Sequence, residues 1–383
     1  MRIIAIIILL ILLKPAPAQT FQWKQDSTGQ WFINEAFFND FKDTASDMQG
    51  NRIFFTAHQP DEYWKDKGAS HLLVNRFDAA GNPQVIKRLN FFSEYFILKK
   101  FNGHYFFLVT ESNFRGSKVH NTVLEYDTAW NYVRHVYIQI KMNDYVDFVP
   151  SESGGFFLIS GPDTDPGGFP LSSAVVKANS KGKIETYKII KNAELQNLTI
   201  QGDTLRCDAW FDQRYARTGK PHDSLKHVVM DTLLQYTIIP DTAIYRPNHY
   251  LVFCPSGESA YNKWDDGNDA VFFRDKNNEQ IARYGVLPEQ NLRAIRALNH
   301  GRYVMFIEVE NDAGFDTTHM FLIDDSLHQT KLKSWVSDYE AKVLLWDYEV
   351  IYTDDRHFAL FYTKEIYGER KKILMLEQIK LNE

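Results

Sequence analysis

Hydrophobic residues along this chain come in short runs, cut by polar turns at regular intervals. The clearest stretch covers residues 91–140. It holds an apolar run at 95–98, a tight Asn102-Gly103 turn and a second run at 105–109. Beyond a polar loop come a third run at 122–126, closed by Asp127, and a fourth at 132–140. Short runs rich in β-branched and aromatic residues, bounded by turn residues, predict strands. Four in succession predict an antiparallel meander.

That unit recurs. Runs that read as second strands open at Ile53, Tyr105, Phe156, Thr204, Tyr250, Tyr303 and Phe358, spaced about fifty residues apart. Third strands follow at 72–77, 122–126, 174–177, 227–230, 270–273, 320–323 and 373–376. Turns before second strands, such as Asn102-Gly103, Pro247-Asn248 and Asn299-His300-Gly301, carry residues suited to hairpins. Asp78, Asp127, Asp275 and Asp324 close third strands, where a carboxylate can accept from its own downstream backbone and start the turn. Repeat four, 198–239, is the weakest match. Repeat seven has no room for a fourth strand, whereas 21–24 and 31–34 supply spare strands around Asp26-Ser27-Thr28-Gly29. An unclosed ring leaves a raw sheet edge, so an N-terminal strand is expected to complete the last blade.

On these repeats the chain resembles β-propeller proteins as a class. The expected fold is all-β, a single seven-bladed propeller of four-stranded antiparallel blades spanning 19–383. Six blades is the alternative if repeat four is an insertion. No narrower family fits. Kelch repeats need a Gly doublet in every blade, and the strand-opening doublet here is Gly154-Gly155. The Trp-Asp pairs Trp264-Asp265 and Trp346-Asp347 do not close third strands as WD40 repeats require. The run from Asp26 to Trp31 is one residue too long for a sialidase-type Asp box.

Residues 1–18 read as a signal peptide: a basic start at Arg2, an apolar core at 3–13 and small residues at Ala16-Pro17-Ala18. The apolar core is too short to span a bilayer, so a periplasmic or secreted protein is expected. No Cys stands at the cleavage point to take a lipid, and no later run suits membrane insertion. The net charge of −6, with no basic block, argues against nucleic acid as a partner. Cys207 and Cys254 fall in neighbouring repeats. Stacked sheets lie about 10 Å apart and a disulfide needs Cα atoms within about 7 Å, which favours two buried thiols over a bond.

Candidate chemistry collects on one face. In a four-strand meander the second-to-third loops share a face with the connections between blades, and here they are the long ones: 57–71, 110–121, 160–173, 208–226, 254–269, 308–319 and 363–372. Function on repeat scaffolds sits where insertions are. Tyr63, Trp64, Trp210, Tyr215, Tyr261 and Trp264 lie in these loops and are the candidate ligand-binding residues. Aromatic faces stack on the apolar faces of sugar rings. With aromatics at 15 % of the chain, composition alone puts one or two in each loop, so packing between blades is the competing reading.

Acids share those loops, among them Asp208, Glu308 and Glu310. Glycoside hydrolysis needs two carboxyl groups about 5–10 Å apart, which sequence spacing does not establish. Asp163 with Asp165, and Asp265 with Asp269, faintly resemble calcium ligands, although neither run completes the twelve-residue loop. Calcium is therefore the one cofactor candidate. His104, His249 and His357, with Arg52 and Arg302, precede second strands and read as a shared blade feature. No HExxH, nucleophile elbow, phosphate loop or dinucleotide fingerprint occurs. The leading expectation is a non-catalytic binding or interaction scaffold that takes a glycan or a protein on the long-loop face. The alternatives are a glycoside hydrolase or lyase at that face, or a structural envelope component that uses an edge of the ring.

Overall fold

Strands buried on both faces have no polar side to show, so they read as continuous apolar runs. Phe156–Ser160 is buried throughout, as are the apolar residues of His357–Ile366 from Phe358 to Tyr362. These are second strands, and each pairs antiparallel with a first and a third strand. The computed structural model describes residues 22–33, 38–59, 71–89, 91, 96–112, 119–139, 145–161, 163–164, 170–211, 224–245, 251–254, 256–265, 268–277, 279–287, 290–310, 316–337, 343–354, 356–366 and 371–381. Among these residues every regular element is a strand, and no helix is long and apolar enough to cross a membrane.

The strands form seven four-stranded antiparallel blades in chain order. Blade 1 is Phe38–Ser46, Arg52–Gln59, His71–Phe77 and Pro83–Leu89; blade 2 is Phe96–Phe101, His104–Ser112, Val119–Tyr126 and Tyr132–Ile138. Blade 3 is Tyr145–Pro150, Phe156–Ser160, Pro170–Ala178 and Ile184–Lys191, with a short extra strand at Asp163–Thr164. Blade 4 is Ala193–Gln201, Thr204–Phe211, Ser224–Asp231 and Tyr236–Tyr245, so repeat four is a true blade. Blade 5 is Leu251–Phe253, Ser259–Asp265, Asn268–Arg274 and Gln280–Gly285; blade 6 is Gln290–Ala297, Tyr303–Glu310, Asp316–Ile323 and Gln329–Val336. Blade 7 is Val343–Asp354, His357–Ile366 and Lys371–Lys380, completed by Trp31–Ile33.

The N-terminus closes the ring as expected. Trp31 pairs with Leu376 and Phe32 with Met375, antiparallel. A further strand, Trp23–Gln25, folds back on Trp31–Ile33. Trp23 packs against Phe54 of blade 1 and Phe361 of blade 7, and its indole N–H donates to Asn75 Oδ1 of blade 1 at 3.0 Å. This hairpin therefore fastens the last blade to the first.

Blade 5 corrects the sequence reading. The apolar run opening at Tyr250 belongs to its first strand; the second is Ser259–Asp265. That strand is polar in sequence, with Asn262 buried at its centre, so its apolar signal is weaker than its neighbour's. Consequently 254–269 is not one long loop. It holds the backbone bond from the Cys254 N–H to the Glu258 carbonyl and the strand Ser259–Asp265, and the third strand already opens at Asn268.

The core is divided among the blade interfaces. Separate apolar clusters join blades 1 and 2, 2 and 3, 3 and 4, 5 and 6, 6 and 7, and 7 and 1. Strand alternation sends neighbouring residues to opposite interfaces: Phe55 packs toward blade 2, while Phe54 packs toward blade 7. First strands of successive blades approach one another, so the first strand is innermost and the fourth lies at the rim.

One face of the ring is built from near-identical turns. In the third-to-fourth hairpins the side chains of Asp78, Asp127, Asn179, Asp231, Asp275 and Asp324 each accept from backbone N–H groups two and four residues ahead. The fourth residue of such a turn takes the left-handed conformation, at Gly81, Trp130, Gly182, Leu234 and Leu327. The terminal Asp residues thus have the turn-starting role their position predicts. Backbone N–H donation, largest from Asn131, holds the Asp127 carboxyl below its ordinary pKa.

Candidate functional site

The sequence-named aromatics do not gather at one place. Tyr63, Trp64 and Tyr215 lie outside the described residues. Trp210 is in the second strand of blade 4, opposite Leu225, and Trp264 is in that of blade 5, opposite Asp269. Tyr261 sits mid-strand and buried, not in a loop. Its ring stacks on Phe272 at 5.3 Å, with the Arg274 guanidinium 4.7 Å from its centroid, so the ring is engaged within its own blade.

The calcium candidates divide in the same way. Asp163 pairs across a short strand with Ser172, and Asp165 lies outside the described residues. Asp265 and Asp269 are strand residues flanking the short connection of blade 5. Among the described residues no three His, Cys, Asp or Glu side chains are grouped to hold a metal ion. Cys207 and Cys254 are free and buried. Burial raises both thiols, Cys207 to about 12, which suppresses the reactive thiolate.

What the long-loop ends do carry is paired charge. Asp208 lies 2.9 Å from His227 Nδ1 and accepts from Asn197 Nδ2 at 2.8 Å. Glu308 pairs with Arg293. In blade 1, His58 and His71 face each other across the second and third strands that flank 60–70, with Arg88 beside His71. Burial drives the pKa of His58 down to about 3, helped by His71 and Arg88. Burial and then Arg88 lower His71 to about 4. Both imidazoles are therefore neutral at pH 7. His71 is visible in the sequence as the residue directly before its third strand on the long-loop face, a position that invites a zinc or catalytic reading, whereas His58 carries no such signal.

A second set of charges lines the inner strands. Lys99 of blade 2 reaches Asp147 of blade 3 at 2.9 Å, and Asp147 also accepts from the backbone N–H of Leu198 in blade 4 at 2.5 Å. Across the ring, Arg296 of blade 6 grips both carboxylate oxygens of Glu349 in blade 7. Strand irregularities set these side chains in place, at Tyr145/Asp147, Gln196/Thr199 and Trp346/Glu349. Desolvation raises the carboxyl pKa of Asp43 in blade 1, and the Glu349 charge adds to the rise.

On the opposite, tight-turn face, blades 2 and 3 enclose a cleft of about 190 Å³. Glu125 forms its floor, 2.7 Å from His104 Nδ1 and accepting from Arg134 Nε at 2.5 Å. The Glu125 side chain is 11 % exposed, against 38 % for His104 and 39 % for Arg134, so the acid is sunk and the two bases reach the opening. Sequence placed His104 in a shared position before second strands. The correction to blade 5 removes His249 from that set, since Glu258 precedes the second strand there.

No family model matches the chain, and no curated protein matches it in sequence. Among solved structures it is similar to an acylaminoacyl peptidase from Pyrococcus horikoshii, with a TM-score of 0.45 and 10 % identity over 90 % of this chain. It is also similar to prolyl oligopeptidase B from Galerina marginata, with a TM-score of 0.48 and 11 % identity over 91 %. The chain spans about half the length of these two peptidases, 52 % of each. A polysaccharide lyase, an ulvan lyase, matches at a TM-score of 0.44 and 9 % identity, over 89 % of this chain and 95 % of its own. Likenesses at these scores carry no argument about function, and the blade count rests on the strand pairing above.

Proposed function

We propose that this protein is a non-catalytic binding scaffold of the periplasm or cell exterior, which recognises a glycan or a protein on its long-loop face. The observation that carries this reading is an asymmetry between faces. The third-to-fourth hairpins of one face repeat the same short turn, stapled by Asp or, in blade 3, Asn179, from blade 1 to blade 6. The second-to-third connections of the other run from 266–267 in blade 5 to 212–223 in blade 4. Variation confined to one face of a rigid repeat is how such scaffolds carry recognition.

The state of the acids favours binding over hydrolysis or elimination. Among the described acids, Asp208, Glu308 and Glu349 are each already engaged by a basic side chain of the protein itself. A thermal-shift screen of residues 19–383 against oligosaccharides, calcium and EDTA tests the reading. A ligand that binds the folded state raises the melting temperature by mass action. A sugar-dependent rise without turnover supports glycan recognition. A flat response to millimolar sugar and to EDTA removes the glycan and calcium readings and leaves the protein partner, to be sought by cross-linking. Cleavage of a screened sugar overturns the non-catalytic reading.

A further inference from the structure

The cleft on the tight-turn face lies away from the long loops and has its own chemistry. All its walls come from the turn ends of blades 2 and 3: the Asn102 turn and His104 on one side, the 151–155 turn and Phe156 on the other. Its floor is charge-matched. Glu125 is answered by Arg134 and contacted by His104, so no uncompensated ion is left at the bottom to call for a counter-ion. What remains is hydrogen-bonding capacity of both signs at close quarters. Arg134 supplies N–H donors, the Asn102 amide both kinds, and Glu152 at the rim an acceptor. Phe101, half-buried, provides apolar surface within the same space, backed by the buried rings of Phe106 and Phe156. Phe106 and Phe156 meet edge to face at 6.4 Å, and His104 stacks over Phe106 at 6.3 Å.

The shape is fixed by backbone. A Cβ at Gly155 would meet the Ala178 carbonyl oxygen at 2.4 Å, so the far wall is pressed against its own third strand and cannot retreat. The volume is below the about 300–1,000 Å³ of drug-sized pockets and suits one small ring. A compact, rigid, charge-balanced pocket with apolar surface and mixed donors and acceptors matches a polyhydroxylated ring, which presents hydroxyls at its edge and C–H groups on its face.

We propose that the cleft between blades 2 and 3 is a saccharide subsite that seats one neutral pyranose. The site is independent of the long-loop face and stands whether or not that face binds glycan. The test is ligand-observed NMR titration with the methyl glycosides of glucose, galactose and mannose, with glucuronate and glucosamine as charged controls. Asn102→Gly removes the amide but keeps a glycine-compatible turn. Glu152→Ala alters an exposed residue, and Arg134→Lys keeps the charge while losing the planar fork. Melting temperatures check that each variant is folded.

At least one neutral glycoside is expected to bind more tightly than either charged control, with affinity falling about tenfold or more in the folded Asn102→Gly and Glu152→Ala variants. The Tyr63→Ala/Trp64→Ala variant separates this site from the long-loop face. Loss of the signal in that variant, with retention in the cleft variants, overturns the proposal without touching the long-loop reading. Absence of neutral glycoside binding at tens of millimolar overturns it as well, as does tighter binding of glucuronate or glucosamine.

Discussion

Gly182 in the third-to-fourth turn of blade 3 is pressed against the carbonyl of Tyr137 in the rim strand of blade 2. A Cβ at Gly182 would fall 1.9 Å from that oxygen, and the residue has φ +76. The Gln139 N–H donates to the Gly182 carbonyl at 3.1 Å, so the rim strand of one blade is latched to the turn of the next. Blades 1 and 2 meet at the corresponding place through side chains instead, where Lys87 Nζ donates to Asn131 Oδ1 at 3.2 Å.

Gly182→Ala is therefore expected to destabilise the fold by about 3 kcal/mol or more, combining left-handed strain with overpacking. Gly103 has φ +77 and open space around its Cβ position, so Gly103→Ala is expected to cost about 1–2 kcal/mol, strain alone. Urea denaturation of both variants reads the difference. Equal losses would mean that the latch between blades contributes nothing.

The N-terminal closure predicts a large effect from a residue distant in sequence from the sheet it serves. Trp23→Ala is expected to cost about 3–5 kcal/mol, because it removes a buried indole and leaves the Asn75 amide oxygen without its donor. Limited proteolysis near the seam between blades 7 and 1 should accelerate with it. An unchanged melting temperature would show that the hairpin is ornamental.

Acid should loosen blade 1 first. In the unfolded chain His58 and His71 titrate near pH 6.5, whereas in the fold they stay neutral to about pH 3 and about pH 4. Between those limits the unfolded state binds more protons, so stability is full above pH 6.5 and falls as pH drops. The expected slope is about 1.4 kcal/mol per pH unit for each histidine. Urea midpoints between pH 7.5 and 5 should show the decline, and His58→Gln should make it shallower. A parallel slope in the variant would contradict the assignment.

The inner charge belt gives a fourth expectation. Lys99→Met leaves the buried Asp147 carboxylate with backbone donors alone and is expected to cost about 2–4 kcal/mol. Combining it with Asp147→Asn should cost less than the sum of the single changes. Strict additivity in the double-mutant cycle would mean that the pair does not interact.

Legibility in the sequence followed burial. Phe156–Ser160 could be found because it is buried on both faces and apolar throughout. Ser259–Asp265 was hidden because its central Asn262 is polar yet buried, and the neighbouring apolar strand drew the assignment one hairpin early. Turn chemistry was readable at Asp127, whose bonds are local. Side-chain partnerships were not. Glu125 with His104, Asp147 with Lys99 and His58 with His71 depend on register and on blade stacking, which no local pattern encodes. Tyr261 shows the cost for site reading: placed in a loop it is a ligand platform, and placed in a strand it is core.

The central claim, recognition on the long-loop face, is tested most directly by removing that face and keeping the scaffold. In a parent that carries Asn102→Gly and Glu152→Ala to silence the cleft between blades 2 and 3, segments 60–70 and 212–223 would be replaced by short Gly-Ser links, and the variant compared with that parent in a melting-temperature titration with the oligosaccharide panel. The expected result is an unliganded melting temperature within a few degrees of the parent, with the panel-induced rise abolished. A rise of undiminished size in the folded variant would contradict the claim.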